Sequence, residues 1–418
     1  MKEKKLKILL LNKDLYNPIF PARPAIMEIY GKYIPSFGHK VTWLCPGEVK
    51  KTTKKKINNV DLYIIPFHFH KKPLIIKIFD LISLSFRQYR LIEKLYQNLN
   101  FDIIQARNSV INILVSLIVS KKKNIPFLYQ ITFTNRDNAF DNEDRNMVNL
   151  LFGKLTNILH NKLIKYADFI FPISSLMKKY LVVNHFLDEY KIYPLPMGVD
   201  YKTFFPNQNI EDLRKKYNLN NNIVFIYIGT MVKSRKLDLI VKAFHHVKKE
   251  IKNAKLLMIG DGSGKGELKE ISMALNLGDD VIFTGRVPYS EIPKYISLAD
   301  IGLCPIVPIF MYKMSSPTKM LEYMACEKPV IGNREIFEIS NVISKSGGGI
   351  LVEFEEKSFS SAMIKLARNS ELIKQMGSYG REWIIKNRSY EMMAKKIEEI
   401  YYLLINRPYS INSKFKKK

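Results

Sequence analysis

Ile223-Val-Phe-Ile-Tyr-Ile-Gly-Thr-Met-Val-Lys-Ser-Arg-Lys-Leu-Asp-Leu-Ile-Val-Lys-Ala-Phe244 opens with six apolar residues, crosses a glycine and a basic loop, and ends in a helically spaced stretch. An unbroken apolar run of that length suits a strand covered on both faces, and strand, loop and helix in that order form the repeating unit of a parallel sheet. Working outward, strand candidates continue at residues 255–259, 281–284, 301–305 and 330–331, with helical stretches between. Upstream lies a similar series at 7–11, 40–45, 60–65, 103–106, 127–131 and 168–172, with helices expected over 25–36 and 110–120. A proline-punctuated segment, 194–206, and a polar one ending at Asn222 separate the two series. The expected fold class is α/β, with two doubly wound Rossmann-like domains facing a cleft and ligands bound beyond the carboxyl ends of the strands.

At 418 residues the chain exceeds one core, and 47% apolar with 25% charged residues is globular composition. Its three cysteines, Cys45, Cys304 and Cys326, lack any CxxC spacing, which suggests neither a disulfide framework nor a zinc site and fits a reducing, cytoplasmic compartment. Only four apolar residues follow the basic start Met1-Lys-Glu-Lys-Lys-Leu-Lys7, too few for a signal peptide, and no window is long and apolar enough for a membrane-spanning helix. The net charge of +27, of which +15 falls in residues 1–200, is compatible with nucleic acid, membrane phospholipid or a phosphorylated substrate, and equally with compositional bias.

Two motifs carry chemistry. In Ser315-Ser-Pro-Thr-Lys-Met-Leu-Glu-Tyr-Met-Ala-Cys-Glu-Lys-Pro-Val330, Ser316 is expected at the N-cap and Pro317 at the first helical position. The free amides from Thr318 onward would face a phosphate, and Glu322 would accept hydrogen bonds from ribose hydroxyls. In the opening stretch, Gly229 ends a strand, Thr230 follows, and Lys233, Arg235 and Lys236 lie at the sheet's ligand edge. A glycine-rich turn follows a later strand, Gly260-Asp-Gly-Ser-Gly264; Gly260, Asp261 and Gly262 either approach a nucleotide closely or simply form a tight turn.

These motifs resemble those of the family 4, GT-B-fold glycosyltransferases, also described as group 1. The 315–330 segment is similar to the family's Glu-Ala/Tyr-Met-Ala-x-Gly-x-Pro-Val helix, and 227–244 to its Gly-Arg-Leu-x3-Lys-Gly loop, with Thr230 at the arginine position and Arg235 at the lysine position. Gly260-Asp-Gly262, Ala167-Asp-Phe-Ile-Phe-Pro-Ile-Ser174, Ala299-Asp-Ile-Gly-Leu-Cys-Pro305 and Pro194-Leu-Pro-Met-Gly-Val-Asp200 extend the likeness over essentially the whole chain. The family's Glu-x7-Glu pair maps onto Met314 and Glu322, so one carboxylate is missing and the donor sugar falls to Ser315, Ser316 or backbone amides.

The resemblance implies a retaining glycosyltransferase that moves a sugar from a UDP- or GDP-linked donor to a glycan or lipid-linked acceptor, in cell-surface polysaccharide or glycolipid synthesis. It implies no cofactor, no metal and no nucleic acid partner. Arg235 and Lys236 would stabilise the leaving diphosphate. Residues 1–200 would bind acceptor and 201–390 the nucleotide sugar, with a helix and basic tail in 391–418 crossing back. The family's Gly-Gly loop and active-site histidine have no clear counterpart, leaving Arg23, Gln105, Arg107 and Arg136 as acceptor-side candidates. An apolar stretch flanked by basic residues, 71–90, fits either attachment to the anionic inner face of the plasma membrane or burial against the sheet. The rival readings are a sugar-nucleotide epimerase of the same fold and a basic nucleic-acid-binding protein; the chain shows no carboxylate and histidine set for the first and no recognition motif for the second.

Overall fold

The apolar runs become strands of two sheets in a computed structural model that describes residues 4–17, 24–67, 74–132, 147–206 and 209–406. The chain forms two units, Met1–Leu195 together with Tyr390–Lys418, and Pro196–Ser389. Each has the doubly wound α/β architecture expected.

In the first unit seven strands are β1 (Lys7–Leu11), β2 (Lys40–Gly47), β3 (Thr53–Ile57), β4 (Val60–Pro66), β5 (Ile103–Arg107), β6 (Phe127–Ile131) and β7 (Phe169–Pro172), ordered β3-β4-β2-β1-β5-β6-β7. All neighbours run parallel except β3 and β4. The lysine-rich β3 was not expected as a strand. It occupies the sheet edge, where exposed lysines are tolerated and discourage further pairing, and Lys54 lies 3.2 Å from Asp61 on β4. The expected helix over 25–36 is continuous but contains a π-helical stretch, Met27–Tyr33.

The second unit holds β8 (Ile223–Ile228), β9 (Ala254–Ile259), β10 (Val281–Gly285), β11 (Ile301–Cys304), β12 (Val330–Asn333) and β13 (Gly349–Val352), all parallel in the order β10-β9-β8-β11-β12-β13. The central strand β8 shows why its sequence is apolar throughout. Val224 and Ile226 enter one core and Phe225 and Tyr227 the other, as the pleat requires of a sheet covered on both faces. The chain order reverses between β8 and β11, so loops at the carboxyl ends of these strands diverge and leave room for a ligand.

The two Ala-Asp dipeptides have a structural task. Asp168 accepts from the Phe127 N–H at 2.8 Å and Asp300 from the Val224 N–H at 2.8 Å, each fixing the start of a neighbouring strand. Burial raises both carboxyls above the usual range while these backbone bonds pull them back.

Candidate functional site in the second unit

The helix Thr318–Ala325 begins one residue later than expected. Pro317, not Ser316, occupies the N-cap, in extended backbone (φ −73°, ψ 120°), and no side chain caps the helix. The reason is a long-range one: the buried Ser316 hydroxyl accepts from the Met197 N–H at 3.0 Å. Proline has no side-chain oxygen to offer in its place, so the first helical amides, starting with Thr318, receive no side-chain acceptor. Ser315 is also engaged, donating to the Tyr312 carbonyl at 2.7 Å, and Met314 is buried.

The helix is seated by its next turns. Tyr323, fully buried, lies against Gly302 of β11, where a Cβ would fall inside contact distance of the ring. Its phenol oxygen accepts from the Ile228 N–H at 2.8 Å, joining the helix to the end of β8. One position earlier, Glu322 is 7% exposed and accepts from the Tyr289 hydroxyl at 2.9 Å. Burial pushes its carboxyl up to about 7, against the pull of the Tyr289 bond and the Lys319 charge.

Beyond β8 the basic loop contributes cations held by aromatic rings. The Arg235 guanidinium sits 4.5 Å from the Tyr312 ring centroid, and the Lys319 ammonium, from the first turn of the helix, 4.0 Å from that of Tyr227. Both act on Cys304 at the end of β11: its thiol is pushed up to about 11 by burial and drawn down by Lys319 and Arg235. Lys236 is exposed and holds a left-handed conformation (φ 48°). Lys233 lies 3.4 Å from Glu267. Thr230 is exposed, and its carbonyl accepts from the Tyr227 hydroxyl at 3.1 Å.

The glycine-rich turn packs on that loop. A Cβ on Gly260 (φ 136°) would overlap the carbonyl of Gly229, and one on Gly262 would meet the Met231 backbone. Met231 N–H donates to the Asp261 carbonyl at 2.9 Å and Gly264 N–H to the Met231 carbonyl at 2.8 Å. The Asp261 carboxylate accepts from the Gly262 N–H at 2.9 Å. These glycines let two ligand-edge loops touch backbone to backbone, which fixes Gly229 beside Lys319.

Gln105, expected on the acceptor side, is instead a fully buried clamp of the first unit. It donates to the Tyr30 hydroxyl at 2.5 Å and accepts from the Tyr401 hydroxyl at 2.6 Å. Arg107, at the end of β5, is buried, with a guanidinium nitrogen 4.0 Å from Asp14. Arg23 and Arg136 lie outside the described residues. Lys319, Tyr289, Tyr227 and Tyr312 were not anticipated from sequence. Of these, Lys319 had a signal: three residues before Glu322, it shares that residue's helix face.

The family model for Glycosyl transferases group 1 matches residues 209–383 and that for Glycosyltransferase Family 4 matches 30–203, together most of the chain. An uncharacterised glycosyltransferase of Methanocaldococcus jannaschii is 24% identical over 359 residues, 84% of this chain and 86% of that protein. The alpha-monoglucosyldiacylglycerol synthase of Acholeplasma laidlawii is 22% identical over 92% of this chain and 93% of its own. Further curated relatives align over about half of their own length. Among solved structures, Anabaena HepE in complex with UDP-glucose superposes with a TM-score of 0.69 at 15% identity, covering 96% of this chain and 100% of that one. The two-sheet fold and the family matches agree, and the chain belongs to the family 4, group 1 glycosyltransferases with the GT-B fold.

Proposed function

We propose that the protein transfers a glycosyl unit from a UDP- or GDP-linked sugar, with retention of anomeric configuration, to a lipid-linked or glycan acceptor in glycolipid or cell-surface polysaccharide synthesis. The observation that carries the donor reading is the grouping of a buried carboxylate, Glu322, with the Arg235 and Lys319 cations at the carboxyl edge of the second sheet. Glu322 suits the paired hydroxyls of a ribose. Arg235, Lys236 and the uncapped amides from Thr318 suit a diphosphate. As the bond from the anomeric carbon to the diphosphate oxygen breaks, negative charge grows on that oxygen and these groups stabilise it. The departing phosphate then takes the acceptor hydroxyl's proton on the same sugar face, so the new bond keeps the old configuration. The Acholeplasma relative is named for a glycolipid synthase, in keeping with a lipid-linked acceptor. In this reading the first unit takes the acceptor, with Arg107 as a candidate contact.

A thermal-shift screen of UDP- and GDP-sugars, followed by NMR of the product's anomeric proton, tests the proposal. Arg235→Ala should lower turnover by about 10²–10³-fold, as loss of a transition-state charge donor does. Unchanged turnover in that variant would exclude Arg235 from the reaction.

We also propose that the first unit rests on the anionic inner face of the plasma membrane. No described helix is long and apolar enough to cross a membrane. On helix Leu74–Leu99, however, Phe79, Ile82 and Phe86 are 67%, 60% and 58% exposed at helical spacing, and on Met147–Leu163 so are Leu151, Leu155 and Ile158 at 55%, 64% and 52%. Helix Val110–Lys123 packs against both, and the three carry nine lysines and arginines against two acidic residues. The apolar faces support this reading more than the lysine run does, since Lys122 and Lys123 already bind Glu93 at 3.1 and 3.3 Å. Flotation with phosphatidylglycerol vesicles at low salt should carry the protein upward, and recovery only in the soluble fraction would remove the membrane partner.

A further inference from the structure

Lys319 stands where helix electrostatics alone would not put a cation. It is the second residue of Thr318–Ala325, so its charge faces the positive end of the helix dipole and weakens the helix it belongs to. Nor is it neutralised: among the described residues no carboxylate lies within ion-pair distance of Lys319 or of Arg235, and the acidic Glu322 one turn on is bonded to Tyr289 instead. The Arg235 Nε is buried without a hydrogen-bond partner. Two like charges are thus gathered about Cys304, each laid on its own aromatic ring. The ammonium's place is well defined. It lies 2.8 Å from where a side chain on Gly229 would begin, and the Tyr227 ring beneath it is itself held by the hydroxyl bond to the Thr230 carbonyl. Gathering uncompensated cations is unfavourable until an anion of matching charge arrives.

We propose that Lys319 is a direct ligand of the donor diphosphate, supplying from the helix side the charge that the loop lacks at Thr230. This rests on the nucleotide-sugar reading above and adds a specific residue to it. Arg235 grips the phosphates from the loop, Lys319 from the helix, and Glu322, on the same helix face as Lys319, is left free of phosphate for the ribose.

Calorimetric titration of the full chain with UDP and with GDP, and with uridine and guanosine, separates the outcomes. For whichever diphosphate binds, Lys319→Met should weaken affinity about 10–100-fold, the worth of a hydrogen bond to a charged group. Lys319→Arg should stay within a few-fold of the parent, and the matching nucleoside should bind parent and Lys319→Met alike. Equal diphosphate affinity in Lys319→Met, with the parent binding well, would overturn this inference and leave the nucleotide-sugar reading standing. Parallel loss of nucleoside and diphosphate would also overturn it, as the mark of a structural residue. A parent chain that binds neither UDP nor GDP would bring down both.

Discussion

At Glu322 a buried carboxyl is asked to be a good acceptor near neutral pH. With its titration raised to about 7, an appreciable share of empty sites holds the proton at that pH. A carboxylate accepts from both ribose hydroxyls, whereas the acid must turn one oxygen into a donor. Donor affinity should therefore rise as pH goes from about 6 to about 8. Stability should move the other way. Between the ordinary value of 4.5 and 7 the folded chain keeps a proton that the unfolded chain has released, so stability from this group is full below that window and is lost as pH rises through it. Glu322→Gln removes both effects. UDP titrations of the two proteins at matched pH values check this, since the comparison subtracts the ligand's own phosphate ionisation; parallel pH profiles would show that Glu322 does not titrate in the site. Tyr289 sharpens the case, because its hydroxyl already occupies one carboxylate oxygen and must be shared with the ribose or displaced by it.

Among the elements, the buried parallel strands were the most legible. β1, β6 and β8 span the residues expected of them, because a short, largely apolar run bounded by polar segments has few other uses. β3 was hidden by its lysines, which point to solvent from an edge strand, and β13 by opening on the last residue of a glycine triplet. The site divides along the same line. Glu322 and Arg235 could be read from local motifs, but the groups that tune them, Tyr289 and Tyr312, come from elsewhere in the chain. Ser316 reads locally as a cap, but its hydroxyl serves Met197, 119 residues away. Gln105 reads locally as an acceptor-side residue, but Tyr30 and Tyr401, 75 and 296 residues distant, consume its amide. Local spacing predicts what a residue can do, and long-range bonding decides whether it is free to do it. The seat of helix Thr318–Ala325 shows this at element scale: Gly302 looks like an ordinary strand glycine until the Tyr323 ring is found against it.

For the whole molecule, the last described helix, Tyr390–Ile405, belongs by its contacts to the first unit although 194 residues of the second separate it from the rest of that unit. It buries Tyr390, Met393, Ile397, Ile400, Tyr401 and Leu404 there. Polar contacts fix its register: Tyr401 bonds Gln105, and Glu398 lies 2.7 Å from Nε2 of His39, whose Nδ1 accepts from the Leu6 N–H at 3.0 Å. That acceptance makes Nε2 the protonated nitrogen and so the donor to Glu398. Six large side chains at about 1.5–3 kcal/mol each are comparable to the about 5–15 kcal/mol that holds a typical domain together. Ending the chain at Ser389 should therefore unfold the first unit while sparing the second, whose sheet and donor residues all lie within Pro196–Ser389. Hydrogen exchange would then show β1, β2 and β5 unprotected and β8, β9 and β11 unchanged, with UDP affinity kept within a few-fold. Protection retained in β1 and β5 after that deletion would mean that the first unit's own residues suffice, and that the returning helix is an accessory to a core already complete.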